Sequence, residues 1–193
     1  MKIISKKNLP NFLLPLSIYN SIYIADAFSK EGEEFDLLIG LERKYVEQLQ
    51  QFSLNENDVD LQKNTGDKKR FGEGSYEDWY KKNRTPICLI HKSSDTLAAL
   101  IWFGPESLFP GDEKNWHTAG WRSYKPFRGK GIMKNFIDFA TDIYMQNVKN
   151  TEQNINLWVA IKRGNTASSG LASALGFQVL EEASDEVSLI MIK

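Results

Sequence analysis

The residues with the plainest chemistry lie in one run, Arg128-Gly129-Lys130-Gly131-Ile132-Met133. Glycines two positions apart allow backbone conformations with positive φ and let a ligand approach the main chain closely. The positions that follow read as the start of a helix. The first-turn N–H groups of a helix lack internal acceptors, and the aligned peptide dipoles add positive potential. Arg128 and Lys130 contribute cationic side chains. Together these features form an anion site that suits a diphosphate. Two known phosphate loops do not fit. G-x-x-x-x-G-K-[ST] is absent because Ile132-Met133 follow Gly131, and G-x-G-x-x-G fails because its third glycine falls on Lys134.

Other residues bear chemistry less directly. His117 titrates in the range of a general base, and it also fits the role of a packing histidine. Asn165 opens a helical segment, where Asn is a good cap. Glu31, Glu33, Glu34 and Asp36 form an acidic cluster that would either attract a cationic amine or complement a helix N-terminus. Trp102, Trp116, Trp121 and Trp158 fall on apolar segments, as core or as the wall of a cleft. The single cysteine, Cys88, sits in Ile87-Cys88-Leu89-Ile90 and reads as an inert core thiol. With one Cys and the separated His91 and His117, no zinc site is expected.

The elements that must position these groups follow from periodicity. Residues 1–25 predict an edge strand and a turn. Over Asp26–Phe52, Phe35, Leu38, Leu41, Tyr45, Leu49 and Phe52 recur every three or four positions and predict a helix, with Gly40 as a kink or break. The polar stretch 55–75 is expected to be a mobile loop or lid, followed by a short helix over Tyr76–Lys82. Ile87–His91 and Leu97–Phe103, joined by Lys92-Ser93-Ser94-Asp95, predict a hairpin. Trp116–Tyr124 is a third strand. A helix follows over Gly131–Val148, then a buried strand over Ile155–Ile161. Asn165–Leu175 predicts a helix stopped by Gly176. Phe177–Glu181 and Val187–Ile192 complete an antiparallel pair. The order implies an α/β (α+β) fold, with a mixed, mostly antiparallel central sheet and flanking helices.

A chain of 193 residues is sized for one domain, 1–193, with a full core. The net charge of −1 provides no global field to draw nucleic acid or an anionic membrane. Lys2, Lys6 and Lys7 precede the apolar stretch Leu9–Phe28, but Pro10, Asn11, Pro15, Ser17, Asn20 and Ser21 interrupt it. It is therefore read as neither signal peptide nor membrane span, and a cytoplasmic location is expected.

The run Lys125-Pro126-Phe127-Arg128-Gly129-Lys130-Gly131-Ile132 resembles motif A of the GNAT superfamily of N-acetyltransferases, whose core is [QR]-x-x-G-x-[GA]. Arg128 and Gly131 match; Met133 stands where the family prefers a small residue. Asn165-Thr166-Ala167 through Leu171-Ala172-Ser173-Ala174-Leu175-Gly176-Phe177 is similar to motif B, one helix and one strand downstream. The resemblance spans about residues 86–193. It implies that acetyl-coenzyme A is the co-substrate and that no metal is needed. The acceptor would be an amine on a small molecule or a peptide. A dimer would be compatible, although the oligomeric state is left open. The backbone of Arg128, Gly129, Lys130, Gly131, Ile132 and Met133 would hold the pyrophosphate. The strands ending near Ser123-Tyr124 and beginning near Asn156 would splay to admit the pantetheine, with Asn165 bonding it. The family's usual proton donor, a tyrosine in motif B, is replaced by Ala172. The strand before motif A offers His117 but no carboxylate, so a non-catalytic acyl-coenzyme A sensor is the alternative the resemblance leaves open.

Overall fold

The computed structural model describes residues 1–7, 12–112, 114–148 and 154–193. Leu9, Pro10 and Asn11, at the start of the apolar N-terminal stretch, lie outside them. The described strands are β1 (Lys2–Ser5), β2 (Ser21–Phe28), β3 (Glu34–Gly40), β4 (Thr85–His91), β5 (Thr96–Pro105), β6 (Asn115–Ser123), β7 (Ile155–Lys162), β8 (Gln178–Val179) and β9 (Ser188–Ile192). They make one sheet in the order β1-β2-β3-β4-β5-β6-β7-β9-β8. Every neighbouring pair is antiparallel except β6 and β7, which run parallel. The expected fold class is the one observed.

Helices cover both faces. Helices α1 (Arg43–Leu54), α2 (Val59–Asn64) and α3 (Tyr76–Tyr80), with a π turn at Lys68–Gly72, lie on one side; α4 (Met133–Val148) and α5 (Thr166–Ala174) lie on the other. The central strands are therefore buried on both faces, which explains their unbroken apolar runs. Along β5, Ala99, Ile101 and Phe103 enter the α4 face with Phe136 and Ala140, while Leu100 and Trp102 enter the α1–α3 face with Tyr45, Leu49 and Trp79. The Cys88 thiol is fully buried, and desolvation pushes its pKa well up.

The hairpin of β4 and β5 forms as expected, paired from Thr85–Phe103 to His91–Thr96 with a register shift between Leu89 and Ile90. Helix α5 ends as expected at Gly176, where φ is +89°. The Phe177 N–H donates to Ala172 C=O and the Gly176 N–H to Ser173 C=O, which closes the last turn as a Schellman motif.

Two expectations are corrected. Residues 26–52 are not one helix: β2 and β3 form a hairpin, and only Arg43–Leu54 is helical. Gly40 has φ of +85°, and a Cβ there would lie 2.1 Å from Asn20 O, so the chain turns rather than coils at this point. Before it, Phe35, Leu37 and Ile39 alternate with Asp36 and Leu38 in strand period, and Phe35, Leu38 and Leu41 matched a helical spacing by coincidence. The acidic cluster consequently lies in a hairpin turn and on β3, not at a helix start. The segment 55–75 is also not a structureless loop. It carries α2 and the π turn, and Asp58, Leu61, Asp67 and Phe71 within it are buried.

Among the described residues no helix is long and apolar enough to cross a membrane.

Candidate active site

The parallel seam between β6 and β7 is short. Asn115 pairs with Ile155, and the register runs only to Thr118 opposite Trp158. Beyond that point β6 continues to pair with β5 through Ser123, and β7 with β9 through Lys162. The strand edges that face each other over Ala119–Ser123 and Val159–Lys162 have parted. A cleft of about 760 Å³ opens between them, lined by both strands, by Arg128, Gly129 and Met133, by Asn165–Ser168 and Leu171, and by the α2 segment Asp60–Gly66. Parted edges carry main-chain donors and acceptors that an extended ligand can pair with, as an added strand would.

At one end of this cleft stands the glycine loop. Gly129 and Gly131 have φ of +83° and +67°, and a Cβ on either would meet nothing within 4 Å. The backbone there is left-handed and open. Ile132 C=O accepts from the Phe136 N–H, so the N–H groups of Met133, Lys134 and Asn135 are the orphan donors at the start of α4.

The loop's cations are less free than the sequence suggests. Arg128 donates from Nη1 and Nη2 to the two carboxylate oxygens of Asp58, at 2.7 and 2.8 Å, and from Nε and Nη2 to Ser123 C=O. That hydrogen bond holds the Asp58 carboxyl below its ordinary pKa and raises that of Arg128. Asp58 also caps α2 by accepting from the Leu61 N–H. Lys130 pairs with Glu33 at 2.5 Å. With both cations paired, what the loop leaves open is its main-chain N–H groups, and Arg128 is shared between the loop and the α2 segment.

Of the residues singled out from the sequence, Ser123, Arg128, Gly129, Met133 and Asn165 line the cleft together. Asn165 caps α5, its Oδ1 accepting from the Ser168 N–H at 3.2 Å, while the same residue borders the cleft. Lys130 and Gly131 are not among the residues that line it. Two side chains lie elsewhere. Ile132 is buried in the α4 core, and Tyr124 is buried on the opposite face against Phe52, with its N–H donated to Ala98 C=O.

His117 is also outside the cleft. It is 1% exposed and turned toward α4, where Nδ1 lies 2.6 Å from Tyr144 Oη. Tyr144 in turn stacks on Phe103. Residues on β6 alternate faces, so His117, with Ala119, joins the packed core, whereas Thr118 and Gly120 face the other way. The geometry favours a packing histidine. Ala172 is fully buried in the same core.

Three cleft residues were missed at the sequence level: Arg70, Glu106 and Arg122. Arg122 is buried and pairs with the equally buried Asp67 at 2.7 Å. An arginine inside the strand Trp116–Ser123 was the available signal, since a buried guanidinium demands a carboxylate partner. Of the four strand tryptophans, Trp102, Trp121 and Trp158 line the cleft, and Trp116 instead donates its Nε1–H to Asp112. Two carboxylates border the cleft. Asp60 lies 3.7 Å from Arg128. Glu106 sits by the closed end of the seam, where its C=O accepts from Trp158 Nε1–H and its side chain pairs with Arg84.

No family model and no curated protein sequence matches the chain. Solved structures do. A ribosomal-protein-S5-alanine acetyltransferase from Vibrio fischeri aligns with a TM-score of 0.56 and 16% identity, covering 81% of this chain and 92% of that one. The GNAT domain of a protein from S. lividans gives 0.59 and 10%, over 87% and 96%. The spermidine N-acetyltransferase from Vibrio cholerae, solved with CoA and spermine, gives 0.58 and 16%, over 81% and 94%. The chain has the fold of the GNAT N-acetyltransferases. Identities this low establish shared architecture; the chemistry has to be argued from the site.

Proposed function

We propose that this chain, acting as a unit over residues 1–193, transfers an acetyl group from acetyl-coenzyme A to an amine by direct attack within a ternary complex. The observation that carries the reading is the parting of β6 and β7 beyond Thr118–Trp158, with the open glycine loop, the α4 N-terminus and Asn165 at its border. That fits a long ligand with a diphosphate at one end and amides in its arm. The fold it shares with acetyltransferases, among them one solved with CoA, supports the same ligand.

In this reading the N–H groups around Gly129–Met133 hold the pyrophosphate, and the open edges of β6 and β7 pair with the pantetheine amides. The thioester then lies toward the closed end of the seam. An amine must arrive neutral to attack, so a base removes a proton. Glu106, the carboxylate beside Trp158, is the cleft residue with the chemistry for that role, directly or through a water. A main-chain N–H on the open edge of β6 stabilises the tetrahedral oxyanion. The thiol of coenzyme A is acidic enough, with a pKa of about 8.5 for a free thiol, to leave as thiolate without a side-chain acid. This accommodates Ala172.

The second reading is a non-catalytic acyl-coenzyme A-binding module. It is favoured by Ala172 at the position of the family's usual tyrosine and by the burial of His117 away from the cleft. Two measurements separate the readings. Calorimetry with acetyl-coenzyme A should show binding, and absence of heat at millimolar ligand would sink both. Free-thiol release over a panel of amines then distinguishes enzyme from sensor. Glu106→Gln should lower turnover by about 10²-fold or more, the usual scale for losing a general base, with coenzyme affinity unchanged.

A further inference from the structure

Where the cleft meets the α1–α3 face, charge is arranged in an unusual way. Asp67, fully buried, accepts from Arg122 at 2.7 Å and from Arg70 at 3.1 Å. Arg70 lies over Trp102, its guanidinium carbon 5.4 Å from the ring centroid, and Arg84 lies 5.1 Å from the same ring. Arg84 is matched by Glu106. The three guanidiniums Arg70, Arg84 and Arg122 thus face two carboxylates, Asp67 and Glu106.

One carboxylate is enough for one guanidinium. Arg122, with its side chain 5% exposed, is the partner that Asp67 must neutralise. Arg70 is the surplus cation, and at 35% side-chain exposure it is also the one that reaches solvent in the cleft. Only its Nη1 is engaged; Nε and Nη2 have no partner among the described residues. Burial first, and the charge of Arg122 second, disfavour the Arg70 cation, so an incoming anion would relieve it. The Arg122 Nε and Trp102 Nε1 atoms, in residues that line the same cleft, are buried without a hydrogen-bond partner among the described residues. A simple alkylammonium or a polyamine would meet repulsion here. An oxyanion would meet a planar fork of donors held over an indole, an arrangement suited to bidentate recognition.

We propose that Arg70 receives an oxyanion of the acceptor, so that the preferred acceptor is an amine that also carries a carboxylate or phosphate. This rests on the acyl-transfer reading above and narrows its substrate class. Arg70 is a specificity residue here and takes no part in the chemical step. The bond that forms is N–acyl and the bond that breaks is acyl–S; the amine proton passes to the base.

The test uses the full chain with acetyl-coenzyme A and matched acceptors: alanine against alaninamide, phosphoethanolamine against ethanolamine, and spermidine. The expected result is roughly tenfold or greater preference in kcat/KM for an anionic member over its neutral partner. The carboxylate and phosphate arms show which oxyanion is preferred. Arg70→Gln should collapse that ratio while leaving acetyl-coenzyme A affinity within about twofold, because the charge acts on the acceptor. Arg70→Lys should restore part of it. Equal or faster reaction of the neutral amines or spermidine overturns the proposal, as does an unchanged ratio in Arg70→Gln. If no amine is turned over, calorimetry of the same pairs on wild-type protein, with and without coenzyme A, decides. Failure of acetyl-coenzyme A to bind defeats the parent reading. Failure of the anionic member to bind better than its neutral partner defeats this one.

Discussion

The two faces of the sheet differ in kind. On the α4 face, Phe136, Ile137, Ala140 and Tyr144 pack on Ile101, Phe103 and Ala119 in a hydrocarbon core whose buried His117 and Tyr144 satisfy each other. On the α1–α3 face the core is aromatic and polar. Phe71, Tyr76, Trp79, Tyr80 and Trp102 meet in tilted and edge-to-face contacts at centroid distances of 5.0 to 6.4 Å. Tyr76 Oη, Trp79 Nε1 and Trp102 Nε1 are buried there without a hydrogen-bond partner among the described residues, on the same face as the Asp67–Arg122 pair. A buried polar atom without a partner costs stability. One face is thus a scaffold that holds the glycine loop and α5, and the other is an aromatic and polar wall that borders the cleft through Arg70, Trp102 and Arg122.

The contrast can be broken by substitution. The largest effect is expected at the glycine loop. Gly131→Trp both strains a left-handed position and fills open space in front of the loop. Calorimetry should find acetyl-coenzyme A binding lost while the melting transition persists; unchanged affinity would refute the assigned loop. On the scaffold face, Phe136→Ala should cost about 3–5 kcal/mol in denaturant unfolding, as large-to-small changes in a dry core do. On the other face Asp67→Asn should cost a similar amount, about 3–5 kcal/mol, because it strands a buried guanidinium. If Asp67→Asn proves mild, water must reach that cluster and the wall is wetter than its packing implies.

A smaller change is expected at the junction of the two faces. Asp58→Asn keeps a cap for α2 but releases Arg128. It should lower stability by about 1–2 kcal/mol and raise acetyl-coenzyme A affinity several-fold as the Arg128 charge becomes available. The pair also sets a pH dependence. The Asp58 carboxyl is held low in the folded state, so its contribution is present above the unfolded carboxylate pKa of about 3.9 and is lost as pH falls through the lower folded value. Acid unfolding of Asp58→Asn should accordingly lack that component. The smallest effect is at Tyr76→Phe, which removes a buried hydroxyl with no partner and should change stability by less than about 1 kcal/mol, in either direction.

The scaffold face was the legible one. The β4–β5 hairpin, α4 and the α5–Gly176 stop follow from alternation, helical spacing and a glycine stop signal, and each is local in sequence. The wall face was opaque for a physical reason. Residues 55–75 look solvated because they are charged, yet Asp58 and Asp67 find their partners at Arg128 and Arg122, 70 and 55 residues away. Periodicity carries no record of such pairings. The break expected at Gly40 is present, but what demands a glycine there, the close approach of Asn20 C=O, is a tertiary fact that the sequence does not record. The candidate site was half readable: the loop, Asn165 and the tryptophans of a cleft wall were named from the sequence, while Arg70 and Glu106 joined the candidates only when the fold brought them to the cleft.

The short parallel seam has a consequence for motion. Four residue pairs, Asn115–Ile155 to Thr118–Trp158, join the β7-β9-β8 leaf to the rest of the sheet. A leaf attached by so few pairs is expected to open as a cooperative unit below the global unfolding free energy. In amide hydrogen exchange, the main chain of 155–162 and 188–192 should therefore lose protection before β3, β4 and β5. A ligand lying between the parted edges would act as a removable rung across that gap, and its arrival should register as slowed exchange far into the C-terminal leaf.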